Sequence, residues 1–366
     1  MNIGVDFHLV TGKFQGSRTY LYNVYKKIGQ LDRVNNYYFL YNHADKDKHS
    51  LSFGTSLYWN TNSGIKRLLI KTKQISQKNN FDFFHFQHLA PIVCPSKIVL
   101  TIHDIIYLTH PEYFRPWFRF RSSRLIRYSC KTAYHIFVPS IYTKKQLVNF
   151  LKVPEDKITI TQNGIDFSKF HSGEKKESIK IIYDKYGFKD FILSVGHLEP
   201  RKNHINLIKA YHILRERNLN LPHMVFIGQK SHLYTDIFLK LNKYSLEKDI
   251  TVIENVNDIN LPHFYKAALL FAYPSFAEGF GIPPLEAMAS GCPVITSNTS
   301  ALPEIVGQAG LLINPNDAEE LADTLFLLIQ DSELREKLAV KGIKRAKNFQ
   351  WGDSAKKILE VYNRIN

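Results

Sequence analysis

Short apolar runs alternate with helical patterns along almost the whole chain. In the first half the β-rich runs are "NIGVD" (2–6), "YYFLYN" (37–42), "DFFHF" (82–86), "KIVLTIHD" (97–104), "HIFVP" (135–139) and "ITITQNG" (158–164). In the second half they fall at 191–196, 224–228, 250–254, 269–274, 293–297 and 310–314. Helical patterns lie between several of them, as at 17–29 and 117–133, and three more close the chain near 317–330, 332–347 and 351–364. Strands alternating with helices predict parallel sheets covered by helices on both faces. The polar stretch "FHSGEKKESIK", 170–180, is the predicted linker between two halves. The fold class is therefore α/β, with two Rossmann-like doubly wound domains expected to face each other across a cleft. Ligands of such domains sit at the carboxyl ends of the strands.

Composition adds bounds to this picture. A chain of 366 residues suits two domains, and 44% hydrophobic with 22% charged residues excludes a disordered chain. The three cysteines are scattered without metal-ligand spacing and are expected to be free thiols in a reducing compartment. No secretory signal pattern stands at the start, and no apolar run approaches the roughly 20 residues that span a bilayer. The expected location is the cytoplasm. The net charge of +15 calls for an anionic partner, and it is unevenly spread: no acidic residue occurs between Glu112 and Glu155.

"FAEGFGIPPLEAMASG", 276–291, sets Glu278 and Glu286 on either side of Gly279, Phe280, Gly281 and a proline pair. Pro283 or Pro284 suits a first helical turn and Gly291 its stop, so the glycine loop lies at a helix N-terminus, where an anion is favoured. A phosphate there would leave one acid for each end of an elongated ligand, and carboxylates accept well from the vicinal hydroxyls of sugars. As a lone spacing, two acids would be solvated helix-cap residues; the glycines and prolines between them point to a site. "SVGHLEPRKN", 194–203, ends a strand at Gly196 and places Arg201 and Lys202 before a helix, a position suited to a diphosphate.

These two segments, with "YPSFAEGFGIPPLEAMASGCPVITSNTSALPEIVGQAGLLINP", closely resemble the donor-binding half of family 4 retaining glycosyltransferases of GT-B fold, bacterial mannosyltransferases among them. The likeness is dense over 190–320. It implies a nucleotide-sugar donor, with Glu278 at the hexose hydroxyls, Glu286 at the ribose, and Arg201 and Lys202 on the diphosphate. The resemblance also implies that the chain after about 350 crosses back. The expected domains are then 1–170 with 351–366 on the acceptor side, and 171–350 on the donor side.

The first half carries fewer cues. "TIHDIIYLTHPEYF" puts His103 and Asp104 at a strand end and is similar to the family's His-Asp segment, whose histidine lies near the transferred sugar. "QNGID", 162–166, is similar to the family's Asn-Gly turn near the domain crossing. In "TGKFQGSRTYLYN", Gly16 matches the first glycine of a family pair near the donor phosphates, while Arg18 stands where the second is expected. "RPWFRFRSSRLIRYSCK" predicts a helix with Trp117, Phe120, Arg124, Arg127 and Lys131 on one face, suited to an anionic membrane surface or to a phosphate-bearing acceptor.

The expected function is transfer of a hexose, mannose first, from a nucleotide-diphosphate sugar such as GDP-mannose to a glycan or lipid-linked acceptor in cell-surface polysaccharide synthesis. His103, Glu278, Arg201 and Lys202 are the expected catalytic residues. Gly16, Gly196, Gly279, Phe280, Gly281 and Glu286 complete the donor site. No cofactor and no metal are expected, because no Asp-x-Asp pair or His/Cys cluster is present. UDP-glucose or UDP-N-acetylglucosamine is the alternative donor, and a non-transferring nucleotide-sugar epimerase the rival enzyme. A nucleic-acid binder would use the charge, yet no nucleic-acid-binding motif is recognisable. Peripheral contact with the inner face of the membrane through 115–131 is the remaining expectation.

Overall fold

The computed structural model describes residues 1–11, 16–42, 51–61, 63–231 and 233–365. Two compact units divide the chain: Met1–Gly164 with Gln350–Asn366, and Ile165–Phe349.

The first unit is built on a parallel sheet of β1 (Asn2–Asp6), β2 (Asn36–Tyr41), β3 (Thr55–Tyr58), β4 (Phe83–Gln87), β5 (Lys97–Thr101), β6 (His135–Val138) and β7 (Ile158–Ile160). Their order is β3-β2-β1-β4-β5-β6-β7. Successive side chains of a strand point to opposite faces. Phe83 therefore joins one core layer with Ile3, Val5, Val99 and Phe137, while Phe84 and Phe86 join the other with Ile98, Leu100 and Ile136. The first layer is closed by helices Gly16–Leu31 and Trp351–Ile365. In the second of these, Trp351, Ala355, Ile358, Val361 and Tyr362 recur at helical spacing and are buried against Tyr20, Leu21, Val24, Tyr25 and Ile28. The hydroxyl of Tyr362 lies 2.7 Å from both Tyr25 Oη and His85 Nδ1, and His85 Nε2 lies 2.7 Å from Thr101 Oγ1. Residues from beyond the second unit thus complete the core of the first.

The second unit carries β8 (Ile192–Val195), β9 (Met224–Ile227), β10 (Ile250–Ile253), β11 (Leu270–Tyr273), β12 (Val294–Ser297) and β13 (Leu311–Ile313) in the order β10-β9-β8-β11-β12-β13. All pairings in both sheets are parallel. In each sheet the chain starts in the middle, runs to one edge and returns, so the topological switch lies between β1 and β4 and between β8 and β11.

Two expectations about the chain path change. Most of 170–180 is no linker: helix Lys175–Tyr186 begins inside it, buries Ser178 and Ile182, and ends on Gly187 at φ 76°. The division between units falls earlier, after Gly164. That glycine forms no Asn-Gly turn. A Cβ on it would lie 2.4 Å from Trp351 N, so its place is set by the close approach of the terminal helix.

Candidate active site

The loop after β8 leads from Gly196 to a 3-10 turn, Pro200–Lys202, and Asn203 then adopts the left-handed conformation (φ 60°) before helix His204–Glu216. Asn203 donates to the carbonyls of Pro274 (3.0 Å) and Pro315 (2.7 Å), tying this turn to the loops after β11 and β13. The Arg201 carbonyl accepts from Phe276 N (2.9 Å) and Ser275 Oγ (3.1 Å). Because β8 and β11 are neighbours, segments more than seventy positions apart meet at one carboxyl edge.

At that edge Glu278 is the hub. Its Oε1 accepts hydrogen bonds from Lys202 Nζ (2.6 Å), Ser275 Oγ (2.7 Å) and Tyr273 Oη (2.8 Å) and is ion-paired with Arg201 Nη1 (3.0 Å). All four groups converge on one oxygen. Arg201 also donates to Ala277 O and Glu199 Oε1, both at 2.6 Å. Burial alone would push the Glu278 carboxyl up, but Arg201 and Lys202, helped by hydrogen bonds from Lys202 and Ser275, bring it down to about 2. The arginine and lysine expected to await a diphosphate are thus already matched by Glu278 and Glu199, and the cluster is charge-compensated without a ligand. Tyr273, Ser275 and Glu199 were not read from the sequence as site residues. Their signal is position, at the ends of the same two strands.

The glycine loop leads into helix Ile282–Ala289. Gly281 has φ 118°, and a Cβ there would meet Leu302 Cδ2 at 2.9 Å. Phe280 is buried in the core, its ring 5.8 Å from that of Phe349, so only its backbone can face a ligand. Pro283 and Pro284 lack N–H groups, which leaves Ile282 alone to offer a donor in the first three helical positions and narrows the expected phosphate cradle. Glu286 lies apart from the cationic cluster's hydrogen bonds: its Oε2 accepts from Tyr265 Oη at 2.9 Å. Burial raises its carboxyl to about 8, against the hydrogen bond from Tyr265, with Asp258 adding to the rise and Lys169 opposing it. Gly196 donates to Ile227 O (2.9 Å) at the end of β8. Gly228, unremarked in the sequence, is required there, since a Cβ on it would lie 1.8 Å from the Gly196 carbonyl oxygen.

In the first unit, His103 and Asp104 follow β5. His103 Nε2 lies 2.9 Å from Gln87 Oε1, and its ring packs edge-on against Tyr20 at 5.1 Å. Burial, with His88 and His85 adding, holds its pKa well below the usual histidine range, so the imidazole is neutral. Asp104 Oδ1 accepts from Ile106 N (3.2 Å) and opens the short helix Ile106–Thr109. Gly16 is the exposed first residue of its helix and Arg18 is half-buried in the first turn; the preceding loop, 12–15, lies outside the described residues. The structure adds a buried acid at the same edge. Asp6, the last residue of β1, accepts from Trp59 Nε1 (3.1 Å) and lies 2.8 Å from His8 Nδ1 and 3.8 Å from Arg67 Nε. Burial opposes its ionisation, yet Arg67 and His8 lower it to about 2.

Residues 175–345 match the model for "Glycosyl transferases group 1", and residues 16–169 match that for "Glycosyltransferase Family 4". The chain is 32% identical over 270 residues to O-antigen chain mannosyltransferase B of Escherichia coli, covering 73% of this chain and 70% of that one. It is 29% identical over 280 residues to the serotype-specific mannosyltransferase WbdA of Escherichia coli, covering 74% of this chain but only 34% of that longer protein. Among solved structures, Anabaena HepE in complex with UDP and glucose superposes with a TM-score of 0.79 at 18% identity, covering 100% of both chains, which speaks to the fold. With both halves matched in sequence and the paired parallel sheets shared with GT-B glycosyltransferases, the chain belongs to glycosyltransferase family 4.

Proposed function

We propose that the chain transfers mannose from GDP-mannose to a hydroxyl of a glycan or lipid-linked acceptor in cell-surface polysaccharide synthesis, with retention of anomeric configuration and without a metal ion. The observation that carries the reading is the convergence of Arg201, Lys202 and Glu278 at the β8–β11 switch, with Glu286 on the adjoining helix. The mannosyltransferase relatives favour mannose.

In this reading the diphosphate joins Arg201 and Lys202, which are already aligned by Glu278. The two cations then stabilise the negative charge that develops on the leaving nucleoside diphosphate. Glu278 Oε1 stays with its four partners, and Oε2 turns to the hexose hydroxyls. Glu286, held in the ribose position, exchanges its single tyrosine partner for the diol. Neutral His103 offers one ring nitrogen to the transferred sugar while Gln87 fixes the other. The acceptor hydroxyl attacks on the face the leaving group departs from, and the leaving phosphate takes its proton. A lipid-linked acceptor brings the enzyme to the inner face of the membrane, with 115–131 as the contact.

A screen of GDP-mannose, UDP-glucose and UDP-N-acetylglucosamine for sugar release without acceptor tests the donor. Release from GDP-mannose, abolished in Lys202→Ala, is the expected result, and release from a UDP-sugar alone would overturn the mannose assignment. The second reading, a UDP-linked donor, is favoured by the UDP and glucose bound in HepE. The anomeric proton coupling of the product distinguishes retention from inversion.

A further inference from the structure

The charges gathered around Glu278 sum to zero: Arg201 and Lys202 supply two cations, and Glu278 and Glu199 supply two anions. The two acids are held very differently. Glu278 Oε1 takes three hydrogen bonds besides its ion pair with Arg201, and the Glu278 N–H donates to Ser300 Oγ at 3.0 Å. Among the described residues the Glu199 carboxylate has one hydrogen-bonding partner, Arg201 Nη2 at 2.6 Å.

The local structure does not depend on that carboxylate. Glu199 opens the Pro200–Lys202 turn through its carbonyl, which accepts from Lys202 N at 3.0 Å, and its side chain makes no capping hydrogen bond. The Arg201 guanidinium is placed from its other end, where Nη1 donates to Ala277 O (2.6 Å) and pairs with Glu278 Oε1 (3.0 Å). The Arg201 carbonyl is fixed by Phe276 N and Ser275 Oγ. Arg201 therefore keeps its place without Glu199, and Nη2 is the end at which a partner can be exchanged. Guanidinium groups bind carboxylate and phosphate oxygens in the same geometry, so Glu199 Oε1 stands where a phosphate oxygen would stand.

We propose that Glu199 is a displaceable counter-ion, which occupies Arg201 in the donor-free enzyme and is exchanged for the diphosphate when the donor binds. This inference rests on the diphosphate reading of Arg201 and Lys202 given above. The Glu199 side chain is 14% exposed and can turn to solvent. With it gone, two cations face one anion, and the cluster attracts the diphosphate by a full charge. After transfer the returning carboxylate competes with the nucleoside diphosphate for Nη2. Glu199 thereby weakens the hold on the product and speeds its release, a step that sets turnover in many enzymes. Glu278, with four partners, stays in place throughout.

Titration calorimetry on the full chain tests the exchange, with GDP and inorganic pyrophosphate as titrants. Glu199→Gln keeps the size of the side chain and removes its charge. It should bind both titrants about ten-fold more tightly than the wild type, with the gain shrinking as salt is added. In transfer assays the donor KM and kcat should both fall, as slower product release requires. Asp323→Asn removes one charge from the exposed pair with Arg217 in the same unit and should leave both affinities unchanged. Unchanged or weaker binding by Glu199→Gln would overturn the proposal, because Glu199 would then serve to align Arg201. So would an equal gain in Asp323→Asn, or failure of pyrophosphate to bind either chain. Tight GDP binding with no gain in Glu199→Gln would leave the donor reading standing while the exchange falls. The expected gain in a chain that transfers no mannose would do the reverse.

Discussion

The carboxyl edges of the two sheets are built on the same topology but treat charge in opposite ways. In the second unit the groups at the switch point are ionised and matched, two cations against Glu278 and Glu199. In the first unit His103, after β5, is neutral, and Asp6, at the end of β1, is the ionised group, facing Arg67 and His8. A diphosphate changes its charge distribution when its sugar departs, and a compensated cluster of fixed charges can take up that change with little reorganisation. The contrast within the second unit is as sharp: Glu278 and Glu286, eight positions apart, are set at about 2 and about 8 by their surroundings alone.

The largest expected effect breaks the comparison at the level of folding. Deleting 351–366 removes Trp351, Ile358, Val361 and Tyr362 from the first unit's core and should leave it unable to fold, while the contiguous second unit retains its own transition in calorimetry. Two coincident losses would show that the units do not fold separately. Next, Glu278→Ala leaves Arg201 and Lys202 buried with one partner fewer, at a cost of about 3–5 kcal/mol, readable in denaturant unfolding together with the loss of transfer. Its folded pKa is depressed, so the stability it contributes is present above the ordinary carboxylate range and is lost as pH falls from there toward about 2. The variant should lack that acid-side fall.

Glu286 sharpens the contrast in the other direction. Its folded pKa is raised, so between the ordinary carboxylate range and about 8 the folded chain holds a proton that the unfolded chain has lost, and stability declines as pH rises through that window. Glu286→Gln should abolish this decline while weakening nucleoside diphosphate binding about ten-fold. In calorimetry at pH 7, binding to the wild type should release a proton that the variant does not release. The smallest effect is Tyr273→Phe, which takes one of three hydrogen-bond donors from Glu278 Oε1 and should cost about 1 kcal/mol in stability with a modest fall in transfer rate.

Most strands were legible because a parallel sheet covered on both faces demands short, continuously apolar runs. The exception, β3 with sequence "TSLY", is a half-exposed edge strand whose residues look like a loop. Helix Lys175–Tyr186 was obscured by its lysines, although Gly187 supplied the stop signal. The glycines of 279–281 marked the loop at the start of helix Ile282–Ala289, while the prolines that lack N–H donors there were read only as helix starters. Phe280 counted as a site residue by its place in the motif, and its ring went to the core instead.

By itself, the sequence determined the alternation of strands and helices and the family, and it singled out Arg201, Lys202, Glu278 and Glu286 as candidates, because those depend on local pattern and on motif. The tertiary structure alone decided which of these residues touch and in what protonation state. Glu278 meets its cations because β8 lies beside β11, and Glu286 is left with a single hydroxyl partner in a buried place. Those outcomes depend on strand adjacency and desolvation, properties of neighbours distant in the chain that no local stretch encodes.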